Sequence, residues 1–258
     1  MNFRFGCIII LVLAFAPDLT AQSDAPVPGI HYPGGISLGY GIGSYGLRDE
    51  YISPERYTGI LPYYAVGWTR FHQKYIYRLD FAFRQSDKFK NNNVTSNVLA
   101  FKLGQGFLYP VKPLTLFRNE MGLWIGPTTD VSYFENNPDI AVSGFDYTNS
   151  FATLISLGFR GDVIYPISGK YVSEASLQLT MLSIGMRTVD SEEDDQAGTK
   201  LLTPVSGLNA SFNLGIGYDL LKWLSLGIHY RFDLVRVTAW EDLLSAGNSA
   251  IIMLHINF

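Results

Sequence analysis

Twelve charged or titratable side chains stand out by type and spacing: Arg78, Asp80, Arg84, Lys102, Arg118, Glu120, Arg160, Asp162, Glu174, His229, Arg231 and Asp233. Carboxylates beside imidazoles could move protons, or hold a metal ion. Guanidiniums could hold an anion. Each chemistry makes a demand on spacing. His229 and Asp233 are four apart, which on a strand places them on one face but about 13 Å apart, too far for a hydrogen bond. The residues two after the four histidines are Pro33, Lys74, Arg231 and Asn257, so no His-x-Ser pair exists on any strand face. His31, His72, His229 and His255 are scattered, and the lone cysteine is Cys7. Neither a metal site nor a cofactor is expected, and no residue is assigned a catalytic role. Both signs occur in similar number among the twelve. That suits a ladder of paired charges in a confined space, where unpaired charges are costly.

The elements that carry these residues read as strands. Along residues 75–84, Tyr75, Tyr77, Leu79, Phe81 and Phe83 alternate with Arg78, Asp80, Ala82 and Arg84. Along 224–236, Leu226, Ile228, Tyr230, Phe232 and Leu234 alternate with Gly227, His229, Arg231 and Asp233. A period of two gives a strand with two unlike faces. The same pattern predicts strands over 32–45, 60–71, 95–108, 116–126, 150–165, 171–187, 206–219 and 247–258, ten in all. Eight or twelve strands follow if one has been split or merged. Connections after the even strands are tight, and those after the odd strands are longer or more polar. Residues 127–147 read as a long polar loop carrying Asp130, Tyr133, Phe134, Glu135 and Asp139. Residues 189–204 read as a second loop. Its acidic run 190–195 (DSEEDD) is taken as solvated rather than as a Ca²⁺ site, because it lacks the ligand spacing and glycine turn of a calcium loop.

The chain ends bound the class. Arg4, the apolar run 7–15 and Thr20-Ala21 read as a signal peptide over 1–21, followed by a Pro/Gly-rich periplasmic lead-in at 22–34 and a single domain over 35–258. Cys7 precedes the apolar core rather than following it, which argues against lipid attachment. No later apolar stretch is long enough for a transmembrane helix. With 19 Lys and Arg against 23 Asp and Glu, the net charge of −4 argues against a general nucleic-acid surface. At the C-terminus, Ile252, Leu254, Ile256 and Phe258 fall on one face.

That last strand resembles the C-terminal signal strand of bacterial outer-membrane β-barrel proteins, where a terminal Phe after alternating apolar residues is read by the barrel assembly machinery. Three features agree with it. The strands are long enough to cross a bilayer, the polar face is rich in Gly, Ser and Asn, and aromatics gather at the tight-turn ends (Tyr75, Tyr77, Phe107, Tyr109, Tyr165, Tyr171, Tyr218, Trp223). The expectation is an all-β, transmembrane up-and-down antiparallel barrel of about ten strands in the outer membrane, facing lipid, with both mature termini periplasmic. The strand number and loop asymmetry also resemble the omptin proteases. That family needs a His–Asp pair near the outer rim, and none of the four histidines is expected there. The His–Ser dyad of the outer-membrane phospholipase and the lipid A deacylase has no counterpart. A signal ending in Ala-Gln before a short barrel resembles small barrels of the Bacteroidota, some of which are accessory subunits of larger complexes. The resemblance implies a structural or interaction role. The alternatives are a narrow solute channel, or a barrel protease or lipid hydrolase without a recognisable catalytic constellation.

Overall fold

The computed structural model describes residues 34–50, 53–72, 74–90, 94–111, 114–116, 119–139, 150–189 and 196–258. The expected leader, nearly all of the lead-in, Arg118 and the acidic run 190–195 lie outside them. The described residues form twelve strands: β1 (Gly35–Asp49), β2 (Ser53–Phe71), β3 (Ile76–Lys90), β4 (Thr95–Pro110), β5 (Leu114–Leu116), β6 (Asn119–Asp139), β7 (Ser150–Ser168), β8 (Tyr171–Val189), β9 (Gln196–Leu202), β10 (Gly207–Leu221), β11 (Leu224–Val237) and β12 (Leu243–Asn257). Ten of them make the wall, each pairing antiparallel with its neighbours; β8 pairs with β10, and β12 closes the ring on β1. The short β5 lies off this ring against β6, and β9 extends the β8 hairpin.

Both ends of the wall meet at one rim. Gly35 pairs with Asn257, and the Phe258 amide donates to the Gly34 carbonyl at 2.9 Å. The short connections between β2 and β3, β7 and β8, and β10 and β11 lie at this terminal rim. The expected asymmetry holds only in part: at the far rim the connections from β6 to β7 and from β8 to β10 are longer, but those from β1 to β2 and from β3 to β4 are as short as the one between β2 and β3. Several strands run past the bilayer: β6 has 21 residues and β2, β7 and β8 have 19 each, against about 9–11 for a tilted crossing.

Two expected loops are shorter than the pattern suggested. Residues 127–139 continue β6 rather than looping, and 196–202 form β9. In β6 the polar residues Asp130, Ser132 and Asn136 are the buried face, so polarity there marks the inside rather than a loop. The expected tight turn between the fourth and fifth wall strands instead contains β5, which pairs Leu114 with Met121. The second strand begins at Ser53, seven residues earlier than expected.

The outer surface is a band of exposed apolar side chains that includes Leu38, Ile42, Val66, Phe159, Leu179, Ile216, Ile228 and Ile252. Burying one such side chain stabilises a protein by about 1.5–3 kcal/mol, so an outer face of this composition in water would forfeit tens of kcal/mol. Lipid removes that cost, and the closed ring leaves no wall edge unpaired. Aromatic contacts mark the terminal rim: Tyr75 packs on Phe107 at 5.7 Å and Tyr171 on Tyr218 at 4.8 Å. A closed barrel of this kind resists SDS without boiling. The protein is expected to migrate differently in unboiled and boiled samples, and identical migration would contradict the closed ring.

Candidate functional site in the lumen

The inward faces divide the lumen into three layers. At the far rim Tyr45, Leu47, Tyr57, Phe89, Phe134 and Leu243 pack as an apolar plug. At the terminal rim Ile76, Leu108, Trp124 and Ile164 form a smaller apolar cluster. Between them lies a polar layer around a cavity of about 90 Å³, lined among others by Lys102, Glu174, His229 and Arg231. The far-rim plug departs from the expectation of a uniformly polar inside face.

Most of the twelve residues meet in the polar layer. Arg160 Nε donates to Asp162 Oδ1 at 2.7 Å, and Arg78 Nε stands 2.8 Å from Asp162 Oδ2. Arg160 also pairs with Asp80 across the lumen. Asp233 takes Arg231 Nε and Arg84 Nη2, each at 3.0 Å, and the Arg84 guanidinium lies 4.6 Å from the Tyr63 ring centre. Lys102 Nζ lies 4.0 Å from Asp130, and it donates to Asn209 Oδ1 at 3.2 Å. The ladder of paired charges is therefore present. Register builds it: Gly67 pairs with Asp80 and Gly104 with Asp80 on the other side, so small neighbours leave room for long side chains to cross the lumen.

Two of the twelve do not join it. Arg118 lies outside the described residues. Glu120 has the inward parity of β6 but sits exposed at the terminal rim, in the stretch paired with β5.

Several members were missed. Asp130, expected in a polar loop, lies on β6. It is 3 % exposed and accepts from Gln178 Nε2 and Asn209 Nδ2, both at 2.8 Å. Its parity with Trp124, three pleat repeats earlier on the same strand, is the available signal. Near the far rim the buried Arg187 and Asp49 form an ion pair. The histidines are not all scattered. His255 lies beside His229 with ring centres 5.8 Å apart, and His229 Nδ1 stands 3.4 Å from Glu174 Oε1. His229 and Asp233 do not pair with each other, as their spacing required; Asp233 is held by arginines.

No family model matches the sequence, and no curated protein matches it. Solved structures do match in fold. The outer membrane protease OmpT from Escherichia coli is 7 % identical, with a TM-score of 0.51 over 88 % of this chain and 97 % of that one. The translocator domain of the autotransporter NalP from Neisseria meningitidis is 10 % identical, with a TM-score of 0.51 over 89 % of this chain and 91 % of that one. At these identities the likeness establishes the fold alone. The chain folds as a transmembrane barrel of the outer-membrane type.

Proposed function

We propose that this protein is an occluded outer-membrane barrel that acts as an interaction subunit of a larger outer-membrane complex, with both termini on the periplasmic side. The observation that carries the reading is an apolar flank on one sector of the wall. Counted from Tyr171, a crossing of about 9–11 residues ends near Thr180 and Met181. Beyond that height Leu182, Ile184 and Met186 on β8 still face outwards, as do Leu201 on β9, 66 % exposed, and Val205 in the following turn, 91 % exposed. An apolar surface continuing past the lipid belt on one side suits the flank of another membrane protein. The occluded lumen supports the same reading, since water-filled pores belong to barrels of 16 or more strands. A resemblance to small barrels of the Bacteroidota that serve as accessory subunits agrees with it.

The test is site-specific photo-crosslinking in the native outer membrane. Crosslinkers at Leu201 and Val205 are expected to trap one stoichiometric outer-membrane protein, while one at Ile228, within the lipid belt, traps none. Leu201→Asp is expected to abolish the adduct while the barrel still folds. A monomeric barrel with no adduct from either position, together with steady conductance in planar bilayers, would replace this reading with a narrow channel.

A further inference from the structure

We propose that Glu174, His229 and His255 form a binding site for one divalent transition-metal cation of the Zn²⁺ class. One ligand atom from each residue lies within 4.8 Å of the other two, on three different strands. Ligands about 2.0–2.2 Å from a tetrahedral ion are roughly 3.4 Å from one another. His229 Nδ1 and Glu174 Oε1 already have that spacing, at 3.4 Å. Only small side-chain adjustments are needed to bring in His255.

The wall is shaped to allow this meeting. Gly215 on β10 pairs with Glu174 on one side and His229 on the other, so the two side chains must meet over it. A Cβ at Gly215 would lie 2.4 Å from His229 Nδ1, and one at Gly227 would lie 2.8 Å from Nε2. The imidazole thus lies on two glycines. His255 is paired with Ser37 and Ser225, which leave its ring similar freedom.

Charge singles out the same three residues. Asp80, Asp130, Asp162 and Asp233 each have an arginine or lysine within 4.0 Å. Glu174 faces imidazole instead, and nearby Arg78 is engaged by Asp162. A carboxylate drawn from water needs a cation, and here it has two imidazoles beside it rather than an arginine or lysine. Two imidazoles and one carboxylate favour Zn²⁺ and its neighbours over Ca²⁺ or Mg²⁺, which take oxygen ligands. Three protein ligands leave a fourth position open towards the cavity, as in zinc sites that bind a water or an exchangeable ligand.

The experiment uses the full mature barrel in detergent, without a histidine tag and stripped with chelator. Calorimetric titration with Zn²⁺ and elemental analysis are expected to give one ion per chain. His229→Ala and His255→Gln should each weaken binding on the order of 100-fold, as loss of one ligand from a zinc site does, and Glu174→Gln should weaken it too. His72→Ala, in a turn at the terminal rim, should leave it unchanged. Co²⁺ in place of Zn²⁺ should give visible absorption bands in the wild type that His229→Ala abolishes. Gel heat-modifiability confirms that each variant is folded. A folded wild type that binds no Zn²⁺, or stoichiometric binding that survives His229→Ala with His255→Gln, would overturn the site.

Discussion

Asp162→Asn is expected to destabilise the barrel by about 3–5 kcal/mol, the range found when one partner of a buried ion pair is removed. Asp162 is 1 % exposed and serves two guanidiniums at once, Arg78 at 2.8 Å and Arg160 at 2.7 Å. Arg160 keeps Asp80, but Arg78 has no second carboxylate ion pair among the described residues. The variant therefore strips Arg78 of its one ion-pair partner within 4.0 Å and leaves only the more distant charges of Asp80 and Glu174, in a layer capped by apolar clusters at both rims. Equilibrium urea unfolding in detergent, followed by tryptophan fluorescence, measures the effect. Adding Arg78→Met removes the stranded charge and should recover most of the loss, because neutral replacement of both partners is often tolerated. A single variant within about 1 kcal/mol of the wild type would mean that water reaches Arg78 freely and that the lumen is wetter than described.

Gly126→Val is expected to abolish assembly altogether. Gly126 lies opposite an interruption in the pairing of β4 with β6, between Gly106–Thr128 and Tyr109–Ile125. A Cβ there would stand 1.9 Å from the Phe107 carbonyl oxygen and 2.9 Å from the Leu108 Cα. These are backbone atoms of a strand paired on both sides, so rotamer changes cannot relieve the clash. The ring would have to open between β4 and β6, and an open edge in lipid leaves unsatisfied amides costing several kcal/mol each. Heat-modifiable protein in purified outer membranes is the measure, with none expected for the variant. Gly104→Ala is the matched control: its Cβ would meet nothing closer than the Asp130 Cβ at 3.7 Å, an ordinary contact, so it should assemble normally. Normal assembly of Gly126→Val would show that this stretch of β4 can move aside.

The amino-acid sequence by itself determined the strands and their faces. Side chains on a strand alternate with period two whatever surrounds them, so Tyr75 to Arg84 and Leu224 to Arg236 declare both element and orientation. Where the inside is polar and the outside mixed, as along Thr128 to Glu135, the same alternation lacks apolar contrast and the strand resembles a loop. Tertiary structure alone decided which inward residues meet. Asp80 and Arg160 are eighty residues apart, and the contact between them depends on the stagger of four strands around the ring, β3, β4, β6 and β7. His229 and His255 share a neighbourhood because β11 and β12 are antiparallel and tilted, and Glu174 joins them only because the residue between strands is Gly215. Period-two patterning assigns a face to a side chain but no height around a closed barrel. Height comes from register, and register is a property of paired strands.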